Sequence, residues 1–506
     1  MDISYGKKYE DVMKILSIPA LACAMTLGFG LASAQTITPS RVGPVSQYGQ
    51  LMTGKNSAGE GRIYGSCEGV KDGAEVQVRG MSLYWSLLPE AVEFWSEEGV
   101  ASMVKDMNVQ IVRAAMATTS EDWWGCKDLT KSCGDDKSKH ITGYASDPSY
   151  QTNLMKTVVE AAIKNDIYVI IDWHSHQAHE EVANAKKFFG EMAQAYGQYD
   201  HVIFELFNEP KEVSWSTVKG YADQIVPVIR QYSDNLILVG NPKWDQNPND
   251  AIGNEVTDSG KNTAYTLHYY AMSHCVSGTY GWGDGTNDAC EGVKGEKAIK
   301  AGLSVFISEW GTGTADGGGT PGQSKNDEWQ TYINKYKLSW ANWSASRIEE
   351  GTAAFTSGSN KNSLQYTASG NMVKGYLATN PTTYTKCSTA SQGGQTTDPN
   401  QGQQGGQTTD PNQGQQGGQT TDPNQNPWAI AGIQSAASLN VAFSGKALEV
   451  SGVNAADVEL FDLKGHKLMK VDGVRGTLSL AMIPAGQYLV KVSSGSASKV
   501  QAITLK

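Results

Sequence analysis

The chain is predicted to be an α/β protein: a (β/α)8 TIM barrel, then a flexible linker and a small all-β C-terminal domain. Three observations lead there. Short apolar runs alternate with helix-like stretches at intervals of roughly 30–40 residues through the first part of the chain, which is the rhythm of βα units. A twelve-residue repeat, GGQTTDPNQGQQ, then occupies Gly393 to Asn424. Beyond it, runs such as ALEVSG and QYLVKV alternate apolar and polar residues between Gly- and Asp-containing turns, the period-2 pattern of half-buried strands.

Eight apolar runs carry the barrel expectation. They end at Leu83, Met116, His174, Glu209, Gly240, Tyr270, Trp310 and Trp343. Between them lie segments with helical periodicity, such as Leu154 to Lys164 and Ala183 to Tyr196. A doubly wound sheet is the alternative, but no G-x-G-x-x-G follows the first run. The repeat has almost no apolar residues, so it cannot bury enough surface to fold and reads as a tether. The expected boundaries are 1–34 for a signal peptide, 35–387 for the barrel, 388–427 for the linker and 428–506 for a small β-sandwich.

The leader prediction rests on Lys7, Lys8 and Lys14, an apolar run from Ile15 to Leu31, and Ala32-Ser33-Ala34 as a small-residue cleavage site. A spanning helix is the rival, and Pro19, Gly28 and Gly30 count against it. Lipid attachment at Cys23 is a second rival, with Ala20-Leu21-Ala22 a weak match to the required motif. Beyond the leader lie six cysteines, an even number that suits disulfides in an exported chain. The simplest of the possible pairings is sequence-local: Cys126 with Cys133, Cys275 with Cys290, and Cys67 with Cys387 tying the two ends of one domain. None has C-x-x-C spacing, so a zinc site is not expected. The formal charge of −11, with no long basic run, gives nucleic acid or a membrane surface no electrostatic purchase. A neutral polymer fits better, and 13 Trp and 22 Tyr offer rings to stack on sugar faces, though any one of them has core packing as its alternative.

In a TIM barrel the reactive groups lie at the C-terminal ends of the strands. There the sequence places Arg113, Asp172-Trp173-His174, Asn208-Glu209-Pro210, His268 and Tyr270, Glu309, and Trp343. Such a concentration of charge in a semi-buried mouth has to be internally paired, and task-bearing sites are where this happens. Two carboxyl groups across one cleft are what glycosidic cleavage needs, one to protonate the departing oxygen and one to attack or activate water. Glu209 and Glu309 are the candidates.

The pieces QYGQL, VRGMS, VRAAM, IIDWHSH, FELFNEP, VGNPKW, TLHYYA, FISEWGTG and SWANWS, in that order over residues 42 to about 378, resemble glycoside hydrolase family 5, the cellulase family, in its bacterial endoglucanase branch. The resemblance implies an (α/β)8 barrel that cleaves β-1,4-glucan with retention, through a covalent glycosyl-enzyme intermediate and without a cofactor or metal. It makes Glu209 the acid/base and Glu309 the nucleophile. Arg113 would hold the nucleophile ionised, Asn208 would contact the sugar 2-OH, Tyr270 would touch the nucleophile and His268 the acid/base. His174, Trp343, Trp244, Trp85 and Trp310 are the expected substrate-binding residues, with Trp343 as the floor under the reacting ring and Trp123-Trp124 as further candidate platforms. Three departures fall in the outer subsites: Leu83-Tyr84-Trp85 replaces a His-containing stretch, Ala117 stands where an aromatic is usual, and Ser344 to Ile348 lacks a sugar-contacting Lys, with Arg347 as its candidate substitute.

A mannanase or mixed-linkage glucanase on the same scaffold is the nearest alternative, and a non-catalytic glycan-binding barrel is a third. The C-terminal segment has few aromatics for a carbohydrate-binding module, namely Trp428, Phe443, Phe461 and Tyr488. Its ELFDLKGHKLMKV and IPAGQYLVKV resemble the sorting domains of type IX secretion, which makes secretion machinery the expected partner beside the β-glucan. A secreted or cell-surface bacterial monomer, without a membrane span, is the expectation.

Overall fold

A computed structural model describes residues 36–68, 74–119, 122–278, 286–387 and most of 440–505, in two units. The expected leader and the Gly393–Asn424 repeat lie outside the described residues. So do Trp428 and the side chains of Trp123 and Trp124.

The first unit is a closed parallel barrel. Its strands are β1 (Arg79–Leu83), β2 (Ile111–Ala117), β3 (Tyr168–His174), β4 (Val202–Glu205), β5 (Ile237–Val239), β6 (Thr263–Thr266), β7 (Val305–Gly311) and β8 (Trp340–Ala345). Each pairs with its neighbour; β8 pairs with β1, and β6 with β7, so no edge remains. The connecting helices are set by local chemistry. Ser96 caps Glu97–Met107 by accepting from the Gly99 N–H, and Asn108, at φ 57°, stops it. Asp147 caps Pro148–Lys164 in the same way, with Pro148 in the first turn where its missing N–H costs nothing.

Side-chain parity sorts the strands into two cores. Val169 and Ile171 of β3, with Val112 and Ala114 of β2, face outward into the large cluster shared with the helices. Tyr168 and Ile170 of β3, Ile111 of β2, Ile203 of β4 and Phe306 of β7 face inward. Leu51 and Ile63, from the hairpin of Leu51–Lys55 and Gly61–Gly65, join this inner cluster and close the N-terminal end of the barrel. Counting by twos from those inner residues brings Arg113, Asp172, His174 and Glu205 into the interior at the other end.

Strand β7 breaks the count. Its pairing with β8 shifts register between Ile307 and Trp310. Phe306 and Ser308 face inward by parity, and the irregularity turns Glu309 inward as well, a common use of a bulge. Trp310 is thereby sent to the outer face.

Among its described residues the second unit has seven antiparallel strands in a three-stranded and a four-stranded sheet. Leu448, Val450 and Leu478 of one sheet share a core with Val458, Leu460, Val490 and Tyr488 of the other.

All three sequence-local disulfides form: Cys126–Cys133, Cys275–Cys290 and Cys67–Cys387. The last closes a loop of 320 residues, against 7 for Cys126–Cys133. Because a cross-link acts mainly by restricting the unfolded chain, replacing Cys67 and Cys387 by Ser is expected to lower the unfolding free energy by roughly 2–5 kcal/mol, and more than the same change at Cys126 and Cys133. Denaturant unfolding of the two double variants checks this; the reverse order would contradict it.

Candidate active site

The site is organised around Arg113, which has no exposed surface. Its Nε donates to Glu205 at 2.7 Å, Nη1 to Glu309 at 2.7 Å, and Nη2 to Asn208 Oδ1 at 2.6 Å, with Asp172 Oδ2 2.9 Å from Nη2. Burial works against the guanidinium charge, but Asp172, Glu205 and Glu309 overcome it and hold the group charged well above its usual range. Glu205 gains in return: burial disfavours its charge, yet Arg113 and His268 bring its pKa down to about 2. Asp172 is pushed up by burial and by its acidic neighbours despite Arg113, and it holds His174 Nδ1 at 2.7 Å. His174 is driven towards the neutral form by burial and by the nearby Arg113 charge.

Glu309 projects from β7 with both oxygens engaged. Oε2 takes Arg113, and Oε1 accepts from the Tyr270 hydroxyl at 2.9 Å. Burial and the Glu209 charge raise its proton affinity, against the pull of Arg113, His268 and Tyr270.

Glu209 does not sit on a strand. Strand β4 ends at Glu205, and the next four residues carry the chain to a left-handed backbone at Glu209, φ 49°, a costly conformation for a residue with a Cβ. Its N–H donates to Asp245 Oδ2 at 3.3 Å. Its Oε1 lies 3.1 Å from His268 Nδ1. Ser308 fixes the tautomer of that histidine. Its hydroxyl donates to Glu205 at 2.6 Å, so the contact of 2.9 Å from His268 Nε2 to Ser308 Oγ requires the hydrogen on Nε2. Nδ1 is left to share a proton with Glu209. Burial opposes charge on His268, but Asp245, Glu205 and Glu209 raise its proton affinity well above normal. Burial also opposes the Glu209 charge, and the His268 contact outweighs it and lowers the carboxyl's proton affinity. The geometry thus puts the proton of this site between Glu209 and His268.

Oxygens of Glu209 and Glu309 and a ring nitrogen of His268 all lie within 4.8 Å of one another. A second such group is Glu205, Asp245 and His268. Both clusters meet the spacing of a cation site, but their atoms already have partners: Arg113 and Tyr270 for Glu309, Ser308 for His268 Nε2, and Arg113 and Ser308 for Glu205.

The structure brings together Glu209, Glu309, Arg113, Asn208, His268, Tyr270, His174 and Trp343. Trp343 stacks on His174 with planes 3° apart and touches Tyr84 at 4.8 Å, and the Trp343–Ser344 peptide is cis. Trp85 meets His174 edge-on at 5.4 Å, half-buried. On the Glu209 side, a cavity of about 530 Å³ is lined by Glu212, Lys243, Trp244, Gln246, Tyr270 and His274. Trp244 is 38% exposed there. Trp310 is the correction. It is 0% exposed and stacks on Tyr269 in the outer core, because the β7 irregularity that aims Glu309 inward turns its successor away from the cleft. Arg347 is tied to Glu93 at 3.0 Å. Sequence reasoning missed the working contacts of Glu205, Ser308 and Asp245. The parity of β4 could have found Glu205, an acid inside the apolar run VIFELF. Nothing local marks Asp245.

An eight-stranded parallel barrel with two facing carboxyl groups at its mouth has the geometry that glycosidic cleavage needs. Residues 70–348 match the family model "Cellulase (glycosyl hydrolase family 5)", and the chain belongs to that family. It is 37% identical over 324 residues to Endoglucanase Z of Dickeya dadantii, covering 63% of this chain and 66% of that one. It is 34% identical over 304 residues to Cellulase CelDZ1 of a Thermoanaerobacterium species, 57% of this chain and 70% of the relative. Among solved structures, a protein from Cytophaga hutchinsonii aligns with TM-score 0.55 and 30% identity, over 66% of this chain and 95% of that one. A halotolerant GH5 cellulase from an Icelandic hot spring isolate aligns with TM-score 0.55 and 30% identity, over 68% and 99%.

Replacing Arg113 by Gln leaves the buried acids Glu205, Glu309 and Asp172 without their cation and is expected to cost about 3–5 kcal/mol of stability, read from denaturant unfolding. For Tyr270→Phe the expected change is in the pH profile. A nucleophilic Glu309 has to be deprotonated, so activity would fall as pH drops through its pKa, which already lies above the usual value. Removing the Tyr270 hydrogen bond raises it further, so the acid limb of kcat/KM moves to higher pH; a limb that stays put or moves down contradicts this.

Proposed function

We propose that the protein is a secreted, retaining endo-β-1,4-glucanase that acts on cellulose-type β-glucan by double displacement. The observation that carries the reading is the approach of the Glu209 and Glu309 oxygens to within 4.8 Å. That is in line with the roughly 5 Å separation of a nucleophile pair, whereas an inverting pair stands roughly 6.5–9.5 Å apart to admit a water.

In the first half-reaction Glu309 attacks the anomeric carbon and forms an ester. The glycosidic C–O bond breaks, and the leaving oxygen takes the proton carried by the Glu209–His268 pair. Esterification removes the Glu309 charge. Glu209 then accepts a proton from the water that attacks the same carbon, and Glu309 leaves as carboxylate, so one residue serves both steps. Asn208 is held by its Oδ1 on Arg113, which leaves its Nδ2 free to donate to the sugar 2-OH. Trp343 and His174 form the floor and wall of the cleavage subsite. The cavity at Trp244 lies on the acid's side and receives the leaving chain. The relatives named endoglucanase and cellulase support an internal cut in β-glucan, and the open cleft suits a polymer threading through. The residues from 428 to 506 serve export or surface attachment, as the resemblance to type IX sorting domains implies; retention of that segment on cellulose would contradict this.

Glu309→Gln is expected to lower kcat on carboxymethylcellulose by roughly 10⁴-fold or more. Proton NMR of the first products should show the new reducing end in the β form, and α would refute retention. In a panel of carboxymethylcellulose, lichenan, mannan and xylan, the first should fall fastest in viscosity; faster loss on mannan would reassign the substrate.

A further inference from the structure

Asp245 has no part in the proposed half-reactions, yet it touches Glu209 and its partner His268 from two directions. It is fully buried. Its Oδ1 accepts from the Asn241 N–H at 2.6 Å, and its Oδ2 accepts from the Glu209 N–H at 3.3 Å and lies 3.4 Å from His268 Nε2. Its own carbonyl accepts from the His268 N–H at 2.9 Å. The turn that presents it is held in the left-handed region at three consecutive residues, Lys243, Trp244 and Asp245, with φ of 60°, 56° and 60°. Such a run persists only where surrounding contacts over-determine it. Here the Lys243 and Trp244 N–H groups donate to the Lys211 and Pro210 carbonyls, binding the turn to the loop that carries Glu209. Gly240 makes room, since a Cβ there would stand 2.8 Å from Asp245 Oδ1 and 2.2 Å from the Phe207 carbonyl oxygen.

We infer that Asp245 is a positioning residue for the acid/base: its carboxylate fixes the left-handed backbone of Glu209 through the N–H and balances the charge on His268, keeping the shared proton aimed at the leaving oxygen. The groups facing it are His268, Glu205 and Glu209. Burial raises the pKa of Asp245 to about 7, against the pull of His268, so its charge is one the active-site histidine helps to maintain. An amide cannot replace it, because both carboxylate oxygens accept N–H groups and Asn would turn an NH₂ against one of them.

The inference rests on the glucanase reading, and the test separates the two. Wild-type hydrolysis of cellohexaose tests the reading; the ratio of variant to wild type tests Asp245. Asp245→Asn and Asp245→Ser are expected to lower kcat/KM on cellohexaose by about 10- to 100-fold, mostly through kcat. On 2,4-dinitrophenyl β-cellobioside, whose phenolate leaves without a proton, kcat/KM should stay within about twofold. The alkaline limb with cellohexaose should move to lower pH, because His268 loses its counter-charge and releases the shared proton earlier. Equal losses on both substrates, no loss on either, or an unmoved alkaline limb would overturn the assignment. Ring ¹⁵N NMR of the wild-type enzyme is independent of whether the variants fold: His268 should remain doubly protonated at pH 7, and a neutral ring would overturn it.

Discussion

One guanidinium inside a closed barrel sets the terms for everything around it. Arg113 is brought to the interior by the parity of β2, where water cannot solvate it, and it is stable there only because Glu205, Asp172 and Glu309 surround it. The arginine in turn holds Glu205 ionised at that depth and pulls against the burial that raises Asp172 and Glu309. The cluster therefore has to be built whole. Strands β2, β3, β4 and β7 must be in correct register for any of these groups to be satisfied, which couples the geometry of the cleft to closure of the barrel. Glu309 has one oxygen pinned by Arg113 and the other by Tyr270, so its orientation is set before substrate arrives, as the proposed nucleophile role requires.

The other carboxyl is held by different means. Glu209 lies past the end of its strand on a strained left-handed residue, and it meets a histidine whose second nitrogen is committed to Ser308. Glu309 thus stands on a rigid strand and Glu209 on a tethered loop, which suits the roles proposed for them. In the proposed double displacement the nucleophile needs one fixed line of attack, whereas the proton donor serves a leaving sugar in one half-reaction and a water in the next. Strain at Glu209 and at the Lys243–Asp245 turn is concentrated where those two loops are sewn together, the usual place for a protein to store it.

Much of this was readable from residues alone. The eight apolar runs located the barrel strands, and the strand-end motifs NEP and SEWG singled out Glu209 and Glu309 with Arg113, His268 and Tyr270 around them. The cysteines paired by the simplest local rule. What could not be read lay where a residue's direction depends on its neighbours. Trp310 follows Glu309 directly and looked like part of the same cleft, but a shift of pairing between β7 and β8 sends the two side chains to opposite faces. Glu205 looked like one letter in an apolar run until the arginine beside it was visible. Asp245 sits in a turn whose left-handed backbone no local pattern announces.

Sequence by itself thus determined which groups are available and at which end of the barrel they gather, because strand periodicity and strand order are local properties. The proton between Glu209 and His268, the orientation of Glu309 and the burial of Trp310 were decided only by tertiary structure, since each depends on contacts between strands far apart in the chain. Charge and hydrogen-bond direction in a closed interior are properties of the assembled set of groups, and no single segment carries them.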